Sequence, residues 1–243
     1  MATRTRQSPR RRQALTLEQI VRTSVELLDA AGEGALTVRA LTERLATGPG
    51  AVYWHIGTMD DLLDAATEKV VVAALAATPD VAEDGRTGGP AGSPQDGIRN
   101  IALGLFDAVT EHPWLAGQLA TQLIRKSRGP VTLRIFESIG RQVRALGVPR
   151  GEWFATTSTL AHYILGATTQ SRLDTDDDAP GSETDRTEFL DAASRAWLDL
   201  DPEDYPFVRA IADQMREHDD REQFLTGINL VLTGITTLHP PTT

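Results

Sequence analysis

The chain has 243 residues, 40% of them hydrophobic, enough for one large domain or two modest ones around a buried core. It has no cysteine and five histidines, which excludes disulfides, thiolate metal sites and cysteine nucleophiles and leaves little material for a metal centre. No apolar run approaches the roughly 18 to 20 residues of a bilayer span, and the charged N-terminus lacks the apolar core of a signal peptide. A cytoplasmic protein with no membrane partner and no cofactor is therefore expected. The net charge of -10 is unevenly divided: residues 1–59 hold eight arginines against five acids (+3), and the remainder sixteen basic against twenty-nine acidic residues (-13). A basic head on an acidic body suggests that the head alone meets nucleic acid.

Residues 1–15 contain five arginines (Arg4, Arg6, Arg10, Arg11, Arg12) and no apolar periodicity, and read as a flexible basic arm. Such an arm either follows phosphates or a minor groove, or is a solvated tail. Thr16 with Gln19 forms a capping box for a first helix, whose apolar residues from Leu17 to Leu28 recur at helical spacing and which ends at Gly32 or Gly34. Thr37 caps a second helix through about Leu45, with Val38, Leu41 and Leu45 on one stripe and Arg39 and Arg44 off it. After a turn at 46–48, Pro49 opens a helix of barely two turns through His55. Thr58 caps a fourth helix, 59–77, with Asp60 and Asp61 in its first turn. Two helices joined by a tight turn, the second short and bearing polar and aromatic groups, form a helix-turn-helix pattern over 16–58.

The stretch 78–97, dense in Gly, Pro, Ser and Asp, reads as a disordered insertion. Helical patterning then fills 98–243. One stripe runs from Ile98 to Val109. Further helices are expected from Trp114 to about Arg125, from Gly129-Pro130 to Leu146, and over 152–173. A second acidic insertion is expected at 174–186, followed by helices near 188–198, 203–217 and 221–238. No strand and no repeat is visible, so the fold class is all-α.

Residues 36–70, LTVRALTERLATGPGAVYWHIGTMDDLLDAATEKV, resemble the DNA-binding domain of the TetR family, and Tyr53-Trp54-His55 is similar to the tetracycline repressor branch. EHPWLA at 111–116, Gly129-Pro130 and LAHYILG at 160–166 resemble the sensor domain of that branch. The resemblance implies a three-helix reader joined by the fourth helix to a bundle for ligand sensing and dimerisation. It also implies that Arg39, from a helix capped by Thr37, reads a guanine or a phosphate, an arginine fork suiting either. The alternative for Arg39 is an ordinary solvated side chain. Pro49, Gly50 and Ala51 would open the recognition helix with little bulk, Tyr53 and His55 would meet phosphates, and Trp54 would border the groove. Alternatively, Tyr53 and Trp54 pack the small domain. Met59 stands where the family commonly has Lys, and Gly48 where Ser or Glu is common.

For the sensor, the resemblance implies a pocket among Phe106, Trp114, Leu119, Leu123, Phe136, Ile139, His162 and Tyr163; the alternative is ordinary core, which for every one but His162 is the simpler reading. The family's magnesium-binding histidine would fall at Leu119, so a tetracycline-magnesium effector is not expected. The implied function is a homodimeric repressor on a palindromic double-stranded DNA operator, released by a small, largely apolar effector. A DNA binder indifferent to ligands is the rival reading. A helical small-molecule binding protein or enzyme is the further alternative, and no phosphate loop, HExxH or nucleophile with a base supports it.

Overall fold

The computed structural model describes residues 15–76, 92–126, 128–173 and 183–240, with the side chains of 171–173 and 183–186 left out of account. The basic arm, all but the end of the first insertion, and most of the second lie outside the described residues. Twelve α-helices and no strand are found among those described. They fall into two compact units, one ending at Ala66 and the other beginning at Thr67.

The first unit contains α1 (Leu17–Ala31), α2 (Val38–Arg44), α3 (Pro49–Tyr53) and the first turns of α4 (Met59–Ala76). The capping box is formed: the Gln19 amide donates to Thr16 Oγ1 at 3.2 Å and the Thr16 amide to Gln19 Oε1 at 3.0 Å. Gly32, at φ 69°, ends α1 by donating its N–H to Leu28 O, a conformation that glycine takes without a Cβ clash. Thr37 caps α2, accepting from the Ala40 amide at 3.2 Å. Thr58 and Asp61 cap α4 reciprocally, with amide-to-side-chain bonds of 3.0 and 2.9 Å. The α1 stripe meets the inward residues of the short helices in one core of Ile20, Val21, Leu41, Val52, Ile56 and Leu62.

In the second unit, α5 (Pro94–Glu111), α6 (Leu115–Arg125), α7 (Pro130–Ala145) and α12 (Asp220–Leu238) all pack against α8 (Trp153–Leu173). α5 starts at Pro94, so the first insertion stops short of residue 97. Ser93 and Asp96 form a capping box there, with bonds of 3.1 and 3.2 Å, and the Ser93 hydroxyl, donating to Asp96 Oδ2 at 2.7 Å, together with the Ser93 amide holds the Asp96 carboxyl below its ordinary pKa. α9 (Glu183–Leu198) begins earlier than apolar spacing indicates, because its opening residues are polar. The single helix expected over 203–217 is two short ones, α10 (Pro206–Ala210) and α11 (Ala212–Arg216). Pro206 supplies the natural first position, and the chain leaves helical geometry at Ile211, φ -103° and ψ 2°. Arg216 ties α11 to α9 through Asp191 at 2.7 Å, and Arg209 donates to the carbonyls of Leu198 and Leu200.

α12 is held along its length. Arg99 donates to Asn229 at 2.8 Å, Arg221 pairs with Asp107 at 3.1 Å, and His239 pairs with Glu152 at 3.2 Å. The later turns of α4 cross α5 at Gly104, where a Cβ would lie 2.5 Å from the Ala74 carbonyl oxygen, and Glu68 pairs with Arg134 of α7 at 3.1 Å.

Two stability measurements check this account. Leu41→Ala, removing a fully buried side chain from the small core, should cost about 2–5 kcal/mol in denaturant titration. Gly104→Ala places its methyl against backbone rather than a yielding side chain, and should cost about 1–3 kcal/mol. That corresponds to a Tm lowered by about 3–10 °C.

Candidate nucleic-acid interface and sensor

Val52 of α3 is fully buried, so the helical period turns its neighbours to solvent. Tyr53 is 55% exposed and Trp54 86%, which removes the alternative that these two rings pack the small domain. Pro49 and Gly50 are exposed, Ala51 and His55 half-buried. A Cβ at Gly48 or Gly50 would meet nothing within 4 Å, so this end of α3 offers open backbone to an approaching surface. The helix ends at Tyr53, two residues earlier than expected. The His55 amide bonds to Val52 O at 3.0 Å, an i to i-3 bond that tightens the last turn and places Trp54 and His55 in it. Met59, half-buried, packs against the core, consistent with an apolar residue where the family commonly has Lys.

On α2, Thr37 is exposed and engaged as the cap, and Arg39 projects into solvent with 88% of its side chain exposed. The Arg39 Nε donates to Glu43 Oε1 at 2.9 Å, which raises the guanidinium pKa above its already high ordinary value. Arg44 approaches Glu26 of α1 at 3.9 Å. Between residues 36 and 58 the charged side chains are Arg39, Glu43 and Arg44, so α3 itself carries none. Thr37, Arg39, Tyr53, Trp54 and His55 thus belong to one small unit, with the exposed ones available for contact.

In the second unit the candidate sensor residues divide. Leu119 and Ile139 are fully buried, Phe106 and Trp114 nearly so, and Leu123, Phe136 and Tyr163 half-buried. Phe106 stacks on Phe224 at 4.9 Å between ring centroids. Tyr163 also stacks on Phe224, at 5.9 Å, and its hydroxyl donates to Phe224 O at 3.1 Å; burial raises its pKa. Gly227 makes room for that hydroxyl, a Cβ there lying 1.8 Å from it. Phe136 instead stacks on the exposed Phe154 at 6.5 Å.

His162 is exposed and does not join this group, contrary to its placement in the pocket. Leu160, Ala161, Ile164 and Leu165 form the inner face of α8, and the 3.6-residue period puts position 162 outside. Phe224 was missed, although the apolar stripe of α12 could have found it. The buried Gln118, Gln122 and Gln142 were missed because glutamine reads as a surface residue; Gln142 Oε1 has no hydrogen-bond partner among the described atoms.

The outer faces of α8 and α12 share one property. Ala155, Thr159, His162, Gly166 and Gln170 are exposed along α8, and Gln223, Thr226, Leu230, Thr233, Gly234 and Thr237 along α12. Leu230 is 70% exposed, and from Trp153 to Ser171 and from Gln223 to Leu238 no Asp, Glu, Lys or Arg occurs. Among the described residues no group of three or more His, Asp or Glu is placed to hold a metal ion, and no helix is long and apolar enough to cross a membrane.

Comparison with known proteins agrees with this division. Residues 20–66 match the family described as bacterial regulatory proteins, tetR family, and residues 89–239 the tetracyclin repressor-like C-terminal domain. The solved structure of the transcriptional regulator SCO7222, a TetR from Streptomyces coelicolor, is 57% identical, with a TM-score of 0.81 over 93% of this chain and 99% of that one. An HTH-type transcriptional regulator of Saccharopolyspora erythraea is 29% identical over 178 residues, 73% of this chain and 70% of its own length. The tetracycline repressor protein class C of Escherichia coli is 42% identical over 57 residues, 24% of this chain and 26% of that protein. A helix-turn-helix head with an exposed α3, followed by a helical body matched over most of its length, places this chain in the TetR family of DNA-binding transcriptional regulators.

Proposed function

We propose that the protein is a cytoplasmic homodimeric repressor that binds a palindromic operator through α2 and α3 and is released by a small, largely apolar effector. The observation that carries the DNA-binding part is the exposure of Arg39, Tyr53 and Trp54 in the same small unit as the open backbone of Gly50, while Leu41 and Val52 of the same two helices are buried in its core. Arg39 supplies a donor fork for guanine or phosphate. Tyr53, with His55, supplies phosphate contacts, and Trp54 borders the groove. Pro49, Gly50 and Ala51 keep the start of α3 narrow enough for close approach, with Thr37 holding the start of α2 at the backbone. The basic arm adds attraction that is independent of sequence.

Dimerisation is supported by the outer faces of α8 and α12. A helix face without charge over four turns is unusual on an acidic protein, and small residues such as Ala155, Gly166 and Gly234 allow close packing of a second copy. Two copies would present two α3 helices to successive major grooves, which matches a two-fold symmetric operator. The effector is assigned to the unit that holds the aromatic cluster of Phe106, Phe224 and Tyr163 and also contains Trp114, Leu119, Leu123, Phe136 and Ile139, apolar side chains of the kind such a molecule needs. α4 has its first turns in one unit and its later turns in the other, so a shift of α4 on effector binding would alter the heads. Couplings of this kind are typically about 1–3 kcal/mol.

Two experiments test this reading. The purified protein should bind DNA flanking its own gene in preference to scrambled DNA at physiological salt, and Tyr53→Ala/His55→Ala, which removes phosphate contacts, should weaken binding to that DNA by at least about tenfold. Equal binding to both DNAs by the unaltered protein would overturn operator recognition at this locus. Leu230→Glu places a charge on the uncharged face of α12. Analytical ultracentrifugation should then show a dimer converted to monomer with the far-UV spectrum unchanged; a dimer that survives the substitution would move the interface elsewhere.

A further inference from the structure

We infer that Glu43 is a positioning residue for DNA reading: by accepting from Arg39 Nε it holds the guanidinium so that its terminal nitrogens face a guanine, and so converts a mobile positive charge into a base reader. The inference rests on the reading of α2 and α3 as the DNA interface.

The geometry supplies the first reason. Glu43 Oε1 occupies Nε, 2.9 Å away, and no further bond of the Arg39 guanidinium is among those described, so the two-nitrogen edge that matches the O6 and N7 acceptors of guanine is left open. Arginine carries about 2 kcal/mol of rotamer entropy, and a side chain 88% exposed is otherwise free to follow any phosphate. Restricting it before contact favours the one acceptor pair that fits the fixed edge.

The second reason is that Glu43 is poorly placed for anything else. It lies in the last turn of α2, where the helix dipole disfavours a carboxylate, and the pair runs from Arg at i to Glu at i+4, the weaker orientation. Facing DNA, an acid also repels phosphates. A residue unfavourable to the helix and to general DNA attraction is accounted for by what it does to its neighbour.

The third reason is that the head has few other readers. α3 carries no charged side chain, and Gly48, Gly50 and Ala51 offer no side-chain hydrogen bond. Discrimination among bases therefore falls heavily on Arg39, and its orientation decides how much discrimination the head has.

The test uses a duplex selected from a randomised pool by the unaltered full-length protein, together with versions in which each guanine in turn is replaced by 7-deazaguanine, and a scrambled duplex. Binding is measured by fluorescence anisotropy at one fixed salt concentration. The unaltered protein should lose roughly tenfold in affinity at the guanine that Arg39 reads, and Arg39→Ala should lose sensitivity at that position alone. Glu43→Ala should bind scrambled DNA at least as tightly as the unaltered protein, while the 7-deazaguanine penalty shrinks to less than about threefold. Glu43→Gln, which keeps an acceptor oxygen, should retain part of the penalty. An undiminished penalty in Glu43→Ala overturns the proposal. So does equal weakening on every duplex with a lowered Tm, which would make Glu43 a structural residue. If no duplex is selected, or Arg39→Ala binds all duplexes as the unaltered protein does, the α2–α3 face is not the reader and the proposal falls with that reading.

Discussion

A helix of five residues does not persist in water by itself, since the cost of nucleation is not recovered over so short a length. α3 exists because Val52 and Ile56 are buried against Ile20, Leu41 and Leu62. That burial also sets its orientation: with Val52 inward, Tyr53 and Trp54 must face outward. The capped ends of α1, α2 and α4 serve the same arrangement by satisfying amides that so small a unit cannot otherwise bury without loss. Contact with DNA, and any discrimination among bases, depends on this core keeping α3 still.

The second unit is organised around a different constraint. α8 packs against four helices, so its inner face is apolar and its outer face lies free of them. On an acidic body the charge-free outer faces of α8 and α12 stand apart from ordinary solvated surface, and it is this contrast, rather than exposed area alone, that supports a second copy there. Ion pairs such as Arg221 with Asp107 and Arg134 with Glu68 are half-exposed and individually weak, contributing at most about 1 kcal/mol each. They are better suited to registering one helix against the next than to stabilising the whole.

Electrostatics divides the chain in keeping with these roles. The head carries its positive charge on a few arginines, two of which are already paired to acids on the protein, Arg39 to Glu43 and Arg44 to Glu26. Such pairing tempers general attraction to phosphate and leaves recognition more dependent on shape and direction. The acidic body repels DNA, so the productive approach is through the head.

The order of the longer helices, and their boundaries apart from the starts of α5 and α9, were legible in the sequence, because caps such as Thr16, Thr37 and Thr58, the first-position prolines 49 and 130, and the 3.6-residue stripes are local signals. So was the resemblance of 36–70 to a DNA-reading head. Ser93 with Asp96 was an equally local signal, overlooked because the surrounding composition is that of a loop. Facing was not legible where a helix is covered on several sides: α8 has apolar or small residues around its circumference, so nothing local distinguished His162, which is outside, from Leu160 and Ile164, which are inside. Nor could spacing reveal that Tyr163 meets Phe224 across sixty-one residues, or that Gln142 is buried. By itself, then, the sequence determined the helical fold, the family and the location of the reader, since each is written in short-range pattern. The tertiary structure decided which side chains are exposed, which aromatic rings cluster and which carboxylate Arg39 leans on, because those depend on the packing of elements distant in the chain and on side-chain choices made only once the helices are in place.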